Sequence, residues 1–259
     1  MMTSVPSSFY VSRADGGFDS QPTTPSAWSP LHQHGGPPSA LLARAIEAMP
    51  EAAGRVIGRI TVDLLGPIPV APLTVETRLL RPGRSVALVE ATLIAERPVA
   101  RATAWHFPDA ESGLVVSESP LGHGPLDGQH KPFPPAWQSG YIEATEWRWV
   151  VGHVHEGRAT VWMRPHVTLV DDEEWSPVPR LMTLVDSASG VSSALDPSQW
   201  GFLNTELSVH VLRPPVGEWL CLDAETSLSS GSVGLATSSV YDEKGLVARS
   251  AQALLIARR

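Results

Sequence analysis

Cysteine is almost absent: the chain holds one, Cys221, which excludes a disulfide within the chain and any metal site built on thiolates. Long apolar runs are missing too, and none approaches the roughly 18 to 20 residues that a bilayer-crossing helix needs. The opening Met1-Met2-Thr3-Ser4-Val5-Pro6-Ser7-Ser8 has neither the basic start nor the apolar core of a signal peptide, so the expected compartment is the reducing cytoplasm. Positive charge is scarce. With 19 Lys and Arg against 27 Asp and Glu, a nucleic-acid partner is not expected, because such binding rests on neutralising phosphates with a basic face. A small anionic ligand needs only a few local arginines and stays open. No serine is framed as Gly-x-Ser-x-Gly, so Ser229-Ser230-Gly231-Ser232 is not a nucleophile elbow. His153-Val154-His155 places two imidazoles on one strand face without further ligands nearby, and neither metal nor cofactor is expected.

What the chain does contain is one module written twice. Ile60-Thr61-Val62-Asp63 lies over Leu207-Ser208-Val209-His210 at a spacing of 147 positions. Downstream, Val75-Glu76-Thr77-Arg78-Leu79 falls on Ala224-Glu225-Thr226-Ser227-Leu228, and Val99-Ala100-Arg101-Ala102-Thr103-Ala104 on Val247-Ala248-Arg249-Ser250-Ala251-Gln252. Two degenerate copies in one chain imply a fused pseudo-dimer, in which a site between the halves can lose one of its two symmetric versions. Gln252 against Ala104 has the character of such a loss.

The first copy opens with a β-like run, Phe9-Tyr10-Val11-Ser12, and a Gly/Pro/Ser-rich wrap to His34-Gly35-Gly36-Pro37-Pro38. A helix follows, since Leu41, Leu42, Ala45, Ile46 and Met49 recur at helical spacing until Pro50. Strands are predicted near 55 to 65, 72 to 81, 85 to 96 and 99 to 107, with Arg81-Pro82-Gly83-Arg84 as a turn. The second copy predicts strands near 144 to 152 and 157 to 168, a helix near 179 to 195, and strands near 203 to 212, 218 to 230, 233 to 242 and 246 to 257. The expected division is a module over 1–107, a Pro/Gly/Ser-rich linker over 108–142 and a second module over 143–259. One long helix cradled by a curled antiparallel sheet is what each copy's order supports, an α+β arrangement.

His34-Gly35-Gly36 before a helix, Arg81-Pro82-Gly83-Arg84 between strands, Leu212-Arg213-Pro214-Pro215 followed by Gly217-Glu218-Trp219-Leu220, and the closing Leu246-Val247-Ala248-Arg249-Ser250-Ala251-Gln252 together resemble the bacterial thioesterase II type of acyl-CoA thioesterase. The likeness covers nearly the whole chain. It implies a double hot-dog fold and hydrolysis of fatty acyl-CoA by a water held by an Asp, a Thr or Ser, and a Gln of the second module. By position these fall on Asp186 and Gln252. The hydroxyl slot falls on Asn204, with Thr205 next door, so the resemblance leaves two candidates there.

The same residues carry readings of their own. Asp186 lies off the apolar stripe of Leu181, Leu184, Val185, Ala188 and Val191, either as a solvated helix aspartate or as a base for water. Gln252 shares a strand face with Ser250, Leu254 and Ile256, as a structural or a catalytic amide. Asn204 alternates with Glu206, Ser208 and His210, and Thr205 with Leu207, Val209 and Val211, which puts Asn204 on the more polar face. His34, Gly35 and Gly36 at a helix start offer an oxyanion or substrate contact, or simply a tight turn. Arg81, Arg84 and Arg213 are candidates for the phosphates of coenzyme A, or solvated turn residues. The expected partner is thus an acyl-CoA substrate, and leftover edge strands predict a homo-oligomer, dimer or tetramer. The alternatives are a hot-dog hydratase or dehydratase, and a non-catalytic acyl-CoA-binding protein with a degenerate site.

Overall fold

The computed structural model describes residues 6–110 and 120–259. Its first half runs β1 (Ser8–Ser12), β2 (Phe18–Ser20), a short hairpin of β3 (Pro25–Ser26) and β4 (Ser29–Gln33), α1 (Gly36–Glu47), β5 (Arg55–Leu64), β6 (Pro72–Arg81), β7 (Ala87–Ile94) and β8 (Pro98–Pro108). The second runs α2 (Gly140–Glu143), β9 (Thr145–Val151), β10 (Arg158–Pro165), β11 (Thr168–Val170), α3 (Pro177–Val185), α4 (Ala188–Val191), β12 (Trp200–Asn204), β13 (Glu206–Val211), β14 (Leu220–Leu228), β15 (Val233–Asp242) and β16 (Gly245–Arg258). Among the described residues no helix is long and apolar enough to cross a membrane.

Alternation builds the sheet of the first half. Ala87, Val89, Ala91 and Leu93 of β7 and Ala100, Ala102 and Ala104 of β8 are buried on one face. The small alanines leave room for the apolar stripe of α1, with Leu41, Leu42 and Ile46 fully buried. Each half is therefore a helix wrapped by a curled antiparallel sheet, and the whole is a double hot dog of α+β class.

The two sheets join edge to edge through β5 and β13, which pair antiparallel with Thr61 facing Ser208. Their hydroxyls lie 3.2 Å apart. Because these two residues are counterparts at the 147 spacing, the pseudo-twofold axis passes between them. At the far side of the first half, β11 of the second half pairs parallel with β1, so the copies also interlock at an edge.

Register settles which positions correspond. Thr61 faces Thr103, and Ser208 faces Ala251, so Ala104 and Gln252 are counterparts. Val89 faces Ala104 and Ala236 faces Gln252, which makes Ala91 and Ser238 counterparts two residues on. Thr77 faces Ala91 and Ala224 faces Ser238, so Thr77, not Val75, matches Ala224. The sequence match there is two residues out of register. A two-residue slip preserves the faces of a strand, so the apolar pattern does not expose it.

Two further features depart from the sequence reading. The helix expected over 179 to 195 is shorter and interrupted at Asp186-Ser187, between α3 and α4. The stretch expected as a linker lies in part outside the described residues, at 111–119, but its last third is packed: Trp137 and Tyr141 are buried in the core.

Candidate active site

Asp186 sits at the helix interruption and is 5% exposed. The Ser187 amide bonds the carbonyl of Leu184, three residues back, so the regular four-residue ladder is broken there. A carboxylate so buried needs donors. Its Oδ1 accepts from Asn204 Nδ2 at 2.7 Å and from Gln252 Nε2 at 3.2 Å. Gln252 is held at both ends, because Nε2 also donates to the Asp186 carbonyl at 3.1 Å while Oε1 accepts from the Ser189 amide at 3.1 Å. The Ser189 N–H fixes which end of the amide is oxygen, and hence that nitrogen faces the carboxylate.

Asn204 reaches this cluster through a β-bulge. β12 pairs with β16 as Asn204 to Leu254, whereas β13 pairs as Ser208 to Ala251, which leaves one extra residue on the β12–β13 side. Thr205 is that residue. Phe202 and Asn204 therefore share the inward face with Leu207 and Val209, although plain alternation puts Asn204 with outward Glu206. The ladder donor freed by the bulge, Ala253 N–H, is taken by Glu206 Oε1 at 2.9 Å. The first half carries the same device: the β5–β8 register shifts between Ile57 and Arg59, at Gly58, which is 147 positions before Thr205.

The opposite wall comes from the first half. α1 and α3 pack together with the start of α1 against Asp186. A Cβ at Gly35 would stand 2.7 Å from Asp186 Oδ2, and one at Gly36 2.0 Å from the Thr183 carbonyl oxygen, so only glycine permits this approach. His34 Nδ1 lies 3.3 Å from Asp186 Oδ2 and 3.1 Å from the Gly36 amide. These contacts ask opposite things of one nitrogen: a lone pair for Gly36, a proton for Asp186. Burial lowers the His34 pKa against the opposing pull of Asp186, so the resting imidazole is neutral and accepts from Gly36. The helix start consequently offers few free donors. Gly36 N–H is committed to His34, Pro37 and Pro38 have none, and Ser39 N–H returns to the Gly35 carbonyl. Of the first-turn amides this leaves Gly35, together with the helix dipole.

The structure thus brings together Asp186, Gln252, Asn204, His34, Gly35 and Gly36, and leaves the other candidates apart. Thr205 is exposed and its hydroxyl points to the Ala253 carbonyl at 3.4 Å. Arg213 is held bidentate by Asp242 at 2.5 and 2.6 Å. Burial raises the Asp242 pKa, but Arg213 and the amides of Val216 and Lys244 outweigh it and hold it below the usual range. Arg81 bonds the Val86 carbonyl and lies over Trp105, and the Arg84 carbonyl accepts from Arg55. Tyr141, stacked on His34, was not singled out by the sequence, and neither was Glu206.

A buried carboxylate held by two side-chain amides thus lies at the seam of two hot dogs. The acyl-CoA thioesterase N-terminal domain matches residues 24–107 and the acyl-CoA thioesterase C-terminal domain residues 125–256. The chain belongs to the acyl-CoA thioesterase family. It is similar in fold to a hot-dog protein of unknown function from Alicyclobacillus acidocaldarius (TM-score 0.76, 19% identity, 99% of each chain covered). It is also similar to a thioesterase II-type protein from Thermobifida fusca (TM-score 0.74, 19% identity, covering 99% of this chain and 98% of that one). A more distant likeness is to the dehydratase domain of a curacin polyketide synthase module (TM-score 0.56, 14% identity, 93% and 92% covered). Among curated proteins, no sequence matches the chain significantly.

Proposed function

We propose that this thioesterase hydrolyses fatty acyl-CoA by direct attack of water, with Asp186 as the base. The observation that carries the reading is the division of labour on one buried carboxylate: both amides converge on Oδ1, and Oδ2 faces Gly35 and His34. Water placed at Oδ2 gives up a proton to it as its oxygen attacks the thioester carbon. The Gly35 amide and the α1 dipole face the carbonyl oxygen where negative charge develops. Collapse of the tetrahedral species expels CoA sulfur, which receives the proton held by Asp186; the products are the fatty acid and CoA. Release of free thiol over a panel of acyl-CoA lengths tests this beside Asp186→Asn. General-base help is commonly worth about 10²- to 10⁴-fold, so the variant should lose that much kcat with its fold intact. Undiminished turnover by Asp186→Asn overturns the assignment.

One observation favours a second reading. A hot-dog dehydratase needs a histidine against a carboxylate, and His34 lies beside Asp186. A change in enoyl-thioester absorbance without thiol release would select it, and bound acyl-CoA with neither signal would select a non-catalytic binder. We also read the protein as a homo-oligomer. Leu203, Leu255 and Val233 face one another across three strands and are exposed, a ladder that a second copy would cover. Light scattering at the monomer mass would remove that expectation.

A further inference from the structure

The two walls of the site come from different halves, and one side chain touches both. Tyr141, in α2 after the stretch that joins the halves, is fully buried. Its ring lies flat on the His34 imidazole, with centroids 3.7 Å apart and planes 3° from parallel. Its hydroxyl donates to the Thr183 carbonyl at 2.9 Å and lies 2.8 Å from Ser187 Oγ, which as the remaining donor completes the pair. Thr183 and Ser187 are four residues apart across the break in the helix, on either side of Asp186. In an unbroken helix Ser187 N–H would bond the Thr183 carbonyl; here it bonds Leu184 and the phenol takes its place. The same carbonyl is the atom against which Gly36 is wedged.

We infer that Tyr141 is a positioning residue of the active site, clamping the helix interruption that presents Asp186 with its hydroxyl and setting the angle of His34 against that carboxylate with its ring. This rests on the hydrolytic reading of Asp186. Burial pushes the phenol well above its ordinary range, so it stays a donor throughout the working pH. A merely space-filling residue needs neither the flat stack nor a hydroxyl aimed at a helix carbonyl that the break sets free.

The test divides the two contacts. Tyr141→Phe keeps the stack and loses the hydroxyl, Ser187→Ala loses the donor to that hydroxyl, and Tyr141→Leu loses both. Misplacement of catalytic groups by about 1 Å costs roughly 10²-fold. On that scale Tyr141→Leu should lower kcat about 100-fold with KM changed less than about 3-fold, and Tyr141→Phe should recover about tenfold of the loss. NMR supplies an independent readout: the His34 ring protons, shifted upfield by the stacked phenol, should keep that shift in Tyr141→Phe and lose it in Tyr141→Leu. If Tyr141→Leu does not fold, Tyr141→Phe and Ser187→Ala decide, each expected to lower kcat about 3- to 10-fold. Parental kcat in both overturns the proposal, as does an equal loss in Tyr141→Phe and Tyr141→Leu. Asp186→Asn, measured alongside, separates the failures: if it retains turnover the hydrolytic reading fails, whereas if it is inactive and the tyrosine variants are not impaired only the clamp fails.

Discussion

A carboxylate that is to take a proton from water must stay ionised without being overstabilised. The amides of Asn204 and Gln252 orient the Asp186 carboxylate through Oδ1 and place no opposite charge beside it. Gln252→Glu keeps the shape and replaces the donor with a second carboxylate about where Nε2 now lies, 3.2 Å from Asp186 Oδ1. Two carboxyls at that range share a proton, so kcat should fall at neutral pH and part of it return where the shared proton dissociates. A steady-state pH profile checks this, and a profile superimposable on the parent would exclude the contact. Asn204→Thr keeps a donor on a shorter stem, while Asn204→Leu removes it. The expected order of kcat is parent, Asn204→Thr, Asn204→Leu, the last also losing about 1 to 3 kcal/mol in thermal unfolding because Asp186 Oδ1 loses a buried partner. Asp186 was legible from the family pattern alone, and Gln252 from that pattern together with its place opposite Ala104 in the repeat. The face of Asn204 was not, although one trace of the bulge is there to read: the buried positions shift from even, Phe202, to odd, Leu207 and Val209.

That trace belongs to an element. A bulge leaves one strand donor without a ladder partner, and here Glu206 supplies the acceptor while its other oxygen takes the Ser208 hydroxyl at 3.0 Å. Glu206→Ala should release the Ala253 amide, let the β12–β13 bend relax and draw Asn204 off Asp186. The expected outcome is faster amide exchange at Ala253 and a lower kcat without loss of the fold; unchanged exchange there would show the bulge holds itself. The strand order, the turns and the start of α1 follow from alternation, prolines and glycines that act over a few residues, which is why they could be read. The break in the second helix could not. Leu181, Leu184, Val185, Ala188 and Val191 continue one apolar stripe across it, and the partner that stabilises it, Tyr141, comes from a distant part of the chain. Periodicity reports what a segment buries, not what later arrives to take its carbonyl.

Across the whole molecule, the pseudo-twofold at Thr61 and Ser208 makes each half a control for the other. Where the second half has Asn204 and Gln252, the first has Ile57 and Ala104 at the corresponding positions, so the twin site has lost its amides. It keeps one oddity. His106 faces Ile57, as Leu254 faces Asn204, and is 0% exposed with neither ring nitrogen bonded to any described residue. Burial lowers its pKa, and Arg55 adds to this against a smaller pull from Glu51. The unfolded chain, with an imidazole pKa of about 6.5, therefore binds a proton that the folded one refuses. Stability from this source is complete above that pH and declines as the pH falls below it. His34 and His153 are shifted in the same direction and add to the decline. His106→Leu copies the counterpart residue of the other half into a position flanked on the sheet by Ile57 and Ala87. It should raise stability by about 1 to 3 kcal/mol at pH 5 by removing unpaired buried nitrogens, and should leave the site around Asp186 alone. Thermal unfolding at pH 7 and pH 5 checks it: the variant should show a smaller drop between the two than the parent, with the same kcat, and an equal drop would mean that His106 finds a proton or a partner in the folded state.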